Sequence, residues 1–237
     1  MLTRPRVAIL CSERAPGLAH LLAKSLEPEA PFEVVCCLTS EDQFADAQLV
    51  ISRGVPLVHH SARAFYTAQA PGCRLDDLHV RIAYDLQTAR SLTRYRPDVI
   101  VLAGYLLLLT HPVLKAYPRR IINVHHSDLL LRDADGGPKY PGLRAVRDAI
   151  LGGEVETRSS AHLVTDLLDE GPVLARSHAF PIPDVARWAL DTGQRDVLRS
   201  AIWLHQEWML REAFGPLMVQ AIELVAAGVG AHVLECA

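Results

Sequence analysis

The 237-residue sequence lacks the features that mark several large classes of protein. It contains no run of about 20 apolar residues of the kind a membrane-spanning helix needs, and the apolar run near its start is too short for a secretory signal. Basic residues are not in excess, since 24 Lys and Arg stand against 27 Asp and Glu. The composition therefore predicts neither a nucleic-acid partner nor a membrane partner.

Motifs for metal binding and for a covalent nucleophile are also missing. The cysteines are Cys11, Cys36, Cys37, Cys73 and Cys236, an odd number without a CxxC pair or zinc-like spacing. This pattern predicts reduced thiols, a cytoplasmic location and no metal site. The sequence contains no GxSxG motif, which would indicate a serine hydrolase. Hydrophobic residues make up 50% of the chain and charged residues 22%, which is enough apolar material for a substantial core.

Short apolar runs alternate with longer amphipathic segments in the first half of the chain. Strands are predicted at residues 7–10, 32–39, 57–59, 98–102 and 120–124. Helices are predicted at residues 17–25, 42–53 and 75–95, and in a short segment that Thr110 caps. This order predicts an α/β fold, in which helices cover both faces of a mostly parallel sheet. Ligands bind such sheets at the carboxyl edge of the strands.

The second half of the chain changes character. Strand-like runs at 159–165 and 173–182 flank a turn, and the chain after Pro183 reads as helical to about residue 227. Trp203, Trp208 and Phe214 give this region an apolar face, which predicts either helix-core packing or a homodimer contact. No repeat or linker is present. The sequence thus predicts one domain over residues 1–237, with a core at about 6–182 and a helical C-terminal extension at about 183–237.

Two polar motifs follow predicted strands. Asn123 and His125 are two residues apart at the end of one strand, so both project to the same side. An amide donor beside an imidazole suits the stabilisation of an oxyanion and the movement of a proton. Asp169 lies in the turn after residues 159–165, and a carboxylate nearby would orient the imidazole. Taken singly, each residue also fits a structural role as a cap, a packed histidine or a turn former.

Four stretches together resemble one known family. They are residues 97–105, Asn123-Val124-His125, residues 139–143 and residues 160–172. They resemble the folate-dependent formyltransferases typified by phosphoribosylglycinamide formyltransferase, and the resemblance covers about residues 6–182. It implies a Rossmann-like sheet with further strands on one side. It also implies 10-formyltetrahydrofolate as the formyl donor and a small-molecule amine as the acceptor.

The resemblance also implies roles for individual residues. Asn123 and His125 would polarise the formyl carbonyl, and Asp169 would pair with the histidine during proton transfer. The residues expected at the folate are Gly104, Tyr105, Leu106, Leu107, Leu109, Val164, Thr165 and Asp166. The residues expected at the acceptor are Ser12, Glu13, Arg14, His126, Lys139 and Tyr140. His162 is expected to pack beside the site as a structural residue.

The sequence departs from this family at four places. In the loop after the first strand, Glu13 and Pro16 stand where small residues would expose backbone N–H groups to a phosphate, which argues against ribosylglycinamide phosphate as the acceptor. His126 stands where the family has proline, and its neighbour His125 points to the opposite face, so the two are not expected to share a metal. Leucines fill residues 106–109, where the family has a cation. Residues 128–137 form a longer segment, either a specificity loop or a passive insertion.

Two other functions stay open at this point. Water could replace the amine, which would make the protein a 10-formyltetrahydrofolate hydrolase. Alternatively, the chain could be a non-catalytic ligand-binding member of the same fold. The presence of Asn123, His125 and Asp169 favours an enzyme over a binding module.

Overall fold

The computed structural model of the chain describes residues 4–69, 72–74 and 76–228. The main sheet consists of β1 (Arg6–Cys11), β2 (Glu33–Thr39), β3 (Leu57–His59), β4 (Val99–Leu102), β5 (Ile121–His125), β7 (Ser160–Leu163) and β8 (Val173–Arg176). Its strand order is β3-β2-β1-β4-β5-β7-β8. The first five strands pair in parallel, and β7 and β8 add antiparallel strands at one edge. A second small sheet pairs β6 (Glu156–Thr157) with β9 (Phe180–Pro181).

Helices occupy the connections and the C-terminal region. They are α1 (Leu18–Ser25), α2 (Ala47–Ser52), α3 (Ala62–Gln69), α4 (Leu78–Thr93), α5 (His111–Ala116), α6 (Ala145–Leu151), α7 (Asp184–Asp191), α8 (Arg195–Met209) and α9 (Gly215–Ala226). A π-helical segment, Leu210–Phe214, joins α8 to α9. The predicted Rossmann-like α/β fold is therefore confirmed, with the extra strands on one side.

Two apolar clusters explain why the central strands are continuous hydrophobic runs. On β1, Ile9 belongs to a cluster that includes Leu21 of α1 and Met218 of α9. Its neighbour Leu10 belongs to a cluster that includes Leu92 of α4. Because successive strand residues point to opposite faces, a strand covered by helices on both sides must be apolar at every position. The residues of β2 and β4 are divided between the two clusters in a similar way.

The C-terminal helices are part of this core. Gly17, before α1, and Gly215, at the start of α9, allow the two elements to approach closely. A Cβ atom on Gly215 would lie 2.6 Å from the Cβ atom of His20, so no larger residue fits there without movement. The predicted helical character after Pro183 is confirmed as far as Ala226, where α9 ends. Residues 229–237, including Cys236, lie outside the described residues.

Some predicted boundaries were wrong, because tertiary contacts decide them. The helix expected at 42–53 is only α2, since the carboxylate of Asp46 accepts a hydrogen bond from the N–H of Ala15 and residues 42–46 form a loop against the loop after β1. The helix expected at 75–95 is α4, which begins after Asp77, whose side chain accepts from two backbone N–H groups. Residue 75 lies outside the described residues, and the separate helix α3 was not predicted.

The structure also specifies the surroundings of four further side chains. Thr110 precedes α5 but makes no side-chain cap bond, because its hydroxyl donates to Asp85 instead. Of the three aromatic residues expected in the core or at a dimer contact, Phe214 is buried in the core, whereas Trp203 and Trp208 are exposed. The run expected at 173–182 divides into β8 and β9.

Across the described parts of the chain, no helix is long and apolar enough to cross a membrane.

Candidate active site

Three polar side chains meet at the carboxyl end of β5. Asn123 and His125 lie two residues apart on this strand and project to the same side of the sheet. Asp169 comes from the turn after β7, which pairs with β5 in the register Asn123↔His162 and His125↔Ser160. Its Oδ2 atom lies 3.5 Å from Nδ1 of His125. The pairing of β5 with β7 therefore brings together residues that the sequence places in separate motifs.

The ring of His125 has a defined orientation. It is buried, and its Nε2 atom lies 3.0 Å from the carbonyl oxygen of Tyr140. Because a carbonyl oxygen can only accept, Nε2 carries a proton and donates it. The hydroxyl of Ser127 donates to the same oxygen at 3.0 Å. Nδ1 is then the ring atom that faces Asp169, and in this tautomer it carries no proton and can accept a hydrogen bond.

A second histidine belongs to the same group. Nδ1 of His162 lies 3.0 Å from the carbonyl oxygen of Leu163 and donates to it. Nε2 therefore accepts in the neutral ring, and the amide nitrogen of Asn123 donates to it at 3.2 Å. Burial lowers the pKa of His162 to about 4, although the nearby charge of Asp169 opposes this shift. The neutral ring thus orients Asn123 and leaves the second amide N–H of Asn123 for a ligand.

The backbone around Asp169 is constrained. Asp169 has a φ of +56°, a left-handed conformation that costs a non-glycine residue about 1–3 kcal/mol. The N–H of Gly142 donates to its Oδ2 atom at 2.8 Å. Two residues later, a Cβ atom on Gly171 would lie 1.7 Å from the carbonyl oxygen of Leu163. Close packing of the turn on β7 therefore determines where the carboxylate of Asp169 lies.

The turn after β4 contains the first group of residues expected at the folate. Gly104 has a φ of +71°, and a Cβ atom there would lie 2.6 Å from the carbonyl oxygen of Arg14. Tyr105 is buried, and burial raises its pKa to about 12. Leu107 and Leu109 pack against the core below the turn, whereas Leu106 is exposed. The turn thus presents backbone and an apolar side chain to the outside.

A buried ion pair on α4 supports this turn. Nη2 of Arg81 lies 2.8 Å from Oδ1 of Asp85 and 3.4 Å from the hydroxyl of Tyr105. The other oxygen of Asp85 accepts from the backbone N–H of Thr110 at 2.5 Å and from its hydroxyl at 2.8 Å. Both ends of the turn are therefore attached to one helix. Nothing in the sequence pattern pointed to this contact, because each of its residues is ordinary for a helix or a turn.

The second group expected at the folate follows β7. Val164 is half-buried against the same apolar cluster as Leu107 and Leu109. The hydroxyl of Thr165 donates to the carbonyl oxygen of Leu167 at 3.2 Å, and Asp166 is exposed. The turns after β4 and β7 therefore share a hydrophobic base, and this arrangement fits a flat ring that packs on apolar side chains and bonds to backbone.

The loop after β1 contains three of the residues expected at the acceptor. Ser12 is buried, and its hydroxyl contacts that of Ser40 at 2.8 Å and accepts from the N–H of Leu106 at 3.0 Å. Glu13 is exposed. Arg14 makes a two-point contact with Glu207 of α8. Ser12 therefore joins this loop to the turn after β4, and Arg14 joins it to α8.

Two of the remaining residues expected at the acceptor, Lys139 and Tyr140, contact the same glutamate. Nζ of Lys139 and the hydroxyl of Tyr140 both contact Oε1 of Glu154, at 2.7 and 2.9 Å, so the backbone carbonyl of Tyr140 is the part that reaches His125. The preceding insertion forms a small hairpin with a bridge between Arg132 and Pro138. Asp133 caps it by accepting from two backbone N–H groups.

His126 faces away from its neighbour His125. Its ring packs on Phe214 of the π-helical segment with centroids 4.6 Å apart. Its Nε2 atom is buried without a hydrogen-bond partner among the described residues. Burial lowers the pKa of His126 to about 3, and the charge of His125 adds to the shift. The ring therefore stays neutral in the folded protein at ordinary pH.

This neutral histidine should make stability depend on pH. Because the pKa of His126 is lower in the folded chain than its ordinary 6.5, its contribution is complete above pH 6.5 and is lost as the pH falls towards 3. One such group changes the free energy of unfolding by at most about 1.4 kcal/mol per pH unit. Between pH 6 and pH 4, the free energy of unfolding of His126→Phe, measured in urea, should therefore fall by about 2 kcal/mol less than that of the wild type.

A matched control separates this effect from a general change in charge. His79 is exposed on α4, so His79→Phe should follow the wild-type pH dependence. Equal slopes for His126→Phe and the wild type would contradict the buried, neutral state assigned to His126.

The part of the chain that the structure describes contains no group of three or more His, Cys, Asp or Glu side chains suited to a metal ion. His162, which was expected to pack beside the site as a structural residue, contacts both Asn123 and Asp169. Only the pairing of β7 with β5 shows which atoms His162 contacts. Glu207 was missed altogether, because a helical glutamate carries no pattern of its own.

Comparison with known proteins gives consistent matches. Residues 5–187 match a family model described as formyl transferase. Phosphoribosylglycinamide formyltransferase of Escherichia coli K12 is 40% identical over 97 residues, which are 41% of this chain and 42% of that protein. Formyltetrahydrofolate deformylase of Escherichia coli O6:H1 is 28% identical over 207 residues, which are 84% of this chain and 64% of that protein. The matched part thus spans less than two thirds of each of these relatives.

A solved structure matches over nearly the whole chain. Glycinamide ribonucleotide transformylase 1 from Symbiobacterium toebii superposes with a TM-score of 0.71 at 25% sequence identity. The match covers 96% of this chain and 90% of that one. The sheet and the C-terminal helices are therefore both shared with that protein.

Proposed function

Because the chain belongs to the formyl transferase family, we propose that it transfers a formyl group from 10-formyltetrahydrofolate to an amine of a small-molecule acceptor. The observation that carries the proposal is the group of Asn123, His125 and Asp169 at the carboxyl end of β5, with Asp169 3.5 Å from His125. Acyl transfer without a covalent nucleophile needs an oxyanion donor, a proton carrier and a group that orients the carrier. These three residues supply one of each.

The donor would lie against the turns after β4 and β7. Leu107, Leu109 and Val164 form a shared apolar base there, and the close approach of Gly104 to Arg14 leaves the turn with no side chain at that position. These features fit a flat aromatic ring. When bound, the donor supplies an electrophilic formyl carbon.

The residues of the chain then have separate tasks. Asn123 donates its free N–H to the formyl oxygen as negative charge develops on it, and His162 keeps the amide in this orientation. The acceptor amine first forms the new bond to the formyl carbon, which places the charge on the formyl oxygen, and the bond between that carbon and the donor nitrogen then breaks. His125 and Asp169 assist the transfer of the proton that leaves the amine. This proton ends on the donor nitrogen. Nδ1 of His125 faces Asp169 and is the atom that exchanges this proton.

Hydrolysis of the same donor is the second candidate function. It is favoured by the 28% identity to a formyltetrahydrofolate deformylase over 84% of this chain. Water would replace the amine, and formate would be the product. Formate release in the absence of any amine, at a rate that added amines do not change, would support hydrolysis over transfer.

The proposal extends to the setting of the enzyme. We infer a single formyltransferase-like domain, because α9 shares the core of the sheet. We propose that it acts in the cytoplasm, as the absence of a disulfide-like cysteine pattern in the sequence predicts. A homodimer through the exposed Trp203 and Trp208 remains a further prediction. A monomeric mass at micromolar concentration would contradict it.

Binding of a stable folate analogue tests the proposed donor. Calorimetry with 10-formyl-5,8-dideazafolate should give saturable binding, with a dissociation constant within the range of about 1 μM to 1 mM that enzyme substrates commonly have. Leu106→Asp should weaken it by about tenfold or more, because a carboxylate would then have to lose water against the ring. Leu106 is 60% exposed in the turn after β4, so the change should not disturb folding.

Leu26→Asp is the matched control for this experiment. Leu26 is 57% exposed and follows the C-terminal end of α1, at the opposite edge of the sheet. Folded protein that binds no analogue would overturn the proposed function and leave the fold unaffected. Equal weakening by both substitutions would overturn the assignment of the turn.

A further inference from the structure

One short segment of backbone holds both members of the pair formed by His125 and Asp169. The carbonyl oxygen of Tyr140 lies 3.0 Å from Nε2 of His125, and the N–H of Gly142 donates to Oδ2 of Asp169 at 2.8 Å. The residue between Tyr140 and Gly142 is a proline, whose ring fixes φ. The two contacts are therefore coupled, because a movement of this segment would change both of them.

The side chain of Tyr140 attaches this segment to the end of α6. The ring is buried and packs with Ala145 and Ala149 of that helix. A Cβ atom on Gly152 would lie 2.5 Å from the hydroxyl oxygen of Tyr140, so glycine is needed just after the helix to admit the ring. The hydroxyl then donates to Oε1 of Glu154 at 2.9 Å.

Glu154 receives a second hydrogen bond from the same segment. Nζ of Lys139 donates to Oε1 at 2.7 Å. The hydrogen bonds from Lys139 and Tyr140 lower the pKa of Glu154 below its ordinary value, so the carboxylate is ionised at neutral pH. Hydrogen bonds to an ionised acceptor are stronger than those between neutral groups. Glu154 therefore joins two successive side chains of the segment to the end of α6.

The orientation of the His125 ring depends on where the Tyr140 carbonyl lies. If this carbonyl moved away, the buried N–H on Nε2 would lose its acceptor, which is unfavourable. The ring would then rotate, or its proton would shift to Nδ1. Either change alters the ring atom that faces Asp169. A displacement of about 1 Å at a reacting group can lower a rate by about 100-fold.

We propose that Glu154 is a positioning residue for formyl transfer, which acts through the phenol of Tyr140 to fix the carbonyl oxygen that orients His125. Glu154 itself touches neither the donor nor the acceptor. The side chains of Lys139 and Tyr140 then act on Glu154 rather than on the acceptor. The inference rests on the proposed function, in which His125 carries a proton, and it adds a residue from outside the three-residue group.

Removal of either partner in the phenol–carboxylate bond tests the proposal. Tyr140→Phe and Glu154→Ala should each lower kcat by about tenfold or more, whereas binding of 10-formyl-5,8-dideazafolate should not change. Glu154→Gln keeps an oxygen that accepts from the phenol, so it should restore most of the rate lost in Glu154→Ala. Because both residues act through one contact, the double variant Tyr140→Phe/Glu154→Ala should be no slower than the slower single variant.

The ring nitrogens of His125 give a measurement that does not depend on turnover. Their ¹⁵N NMR signals, in protein labelled at histidine, are assigned as those lost in His125→Gln. In the wild type, Nε2 should have the chemical shift of a protonated nitrogen. In Tyr140→Phe and Glu154→Ala, the shifts of the two nitrogens should move towards each other, as the proton becomes shared between the two tautomers.

Glu156→Ala is the matched control. Glu156 is exposed, lies two residues from Glu154 and contacts Arg158 at 3.1 Å, so its loss should change neither kcat nor the His125 signals. An equal loss of kcat in Glu156→Ala and Glu154→Ala would overturn the proposal. So would wild-type kcat together with unchanged His125 signals in Tyr140→Phe and Glu154→Ala.

The test remains decisive if one variant is unstable or if the proposed function fails. Should Glu154→Ala not fold, Tyr140→Phe decides alone, since it removes a single oxygen atom and keeps the ring. Wild-type protein that binds no folate analogue would contradict the proposed function. The His125 signals would still show whether Glu154 fixes the ring, so the two failures are distinguishable.

Discussion

Asn123→Ala and Asp169→Asn should each lower the rate of formyl consumption by about 100- to 1000-fold, while folate binding is retained. Asn123 has one N–H on His162 at 3.2 Å and a second N–H for the formyl oxygen, and alanine removes both. Asparagine in place of Asp169 keeps the shape but removes the negative charge that faces Nδ1 of His125 at 3.5 Å. The rate is followed by the absorbance of deformylated 5,8-dideazafolate, and binding is measured by calorimetry.

Glu170→Gln is the control for Asp169→Asn. Glu170 is the next residue, and it is exposed, so loss of its charge should leave the rate unchanged. Near-wild-type rates in both Asn123→Ala and Asp169→Asn would show that the catalytic residues have been assigned wrongly. Loss of folate binding in the same variants would show that they hold the donor rather than act on it.

Gly171→Ala should destabilise the protein by about 3 kcal/mol or more, or prevent folding. A Cβ atom on Gly171 would lie 1.7 Å from the carbonyl oxygen of Leu163 and 2.8 Å from its carbonyl carbon. Both are backbone atoms of β7, so no side-chain rotation relieves the overlap. The turn that carries Asp169 would have to move away from the sheet, and the rate should fall with the stability. Urea unfolding at pH 7.5 measures the first effect.

Gly137→Ala provides the comparison. The three atoms nearest to a Cβ atom on Gly137 would all belong to the carboxylate group of Asp133, the closest at 3.5 Å, which is ordinary contact. This substitution should change the free energy of unfolding by no more than about 0.5 kcal/mol, as is usual for surface changes. Equal stability of Gly171→Ala and Gly137→Ala would mean that the turn after β7 is not packed as described.

The site combines rigid and charged elements in a way that fits acyl transfer. Every catalytic candidate is held by a second contact: Asn123 by His162, His125 by the carbonyl oxygen of Tyr140, and Asp169 by the N–H of Gly142. Groups held in this way need little rearrangement when charge develops during the reaction. The loop after β1 differs, because the guanidinium of Arg14 on this loop contacts the carboxylate of Glu207 on α8 at the surface.

Parts of this arrangement could be predicted from local sequence. The five parallel strands were predicted within a residue or two. Four of them, β1, β2, β4 and β5, are almost wholly buried and read as largely apolar runs, whereas β3 is a partly exposed edge strand. The relation of Asn123 to His125 also follows from two-residue periodicity. Helix boundaries were less predictable where a side chain bonds to another part of the chain. Asp46 ends up in a loop because it accepts from Ala15.

The sequence by itself determined the α/β architecture and the chemical types available at the end of β5. Local periodicity and strand-end position are physical properties of neighbouring residues, so they can be seen without the folded chain. The tertiary structure alone decided which groups meet: Asp169 with both His125 and His162, and Arg14 with Glu207, which is 193 residues away. Such contacts depend on how strands and helices pack. The residues that neighbour each partner in the sequence do not indicate them.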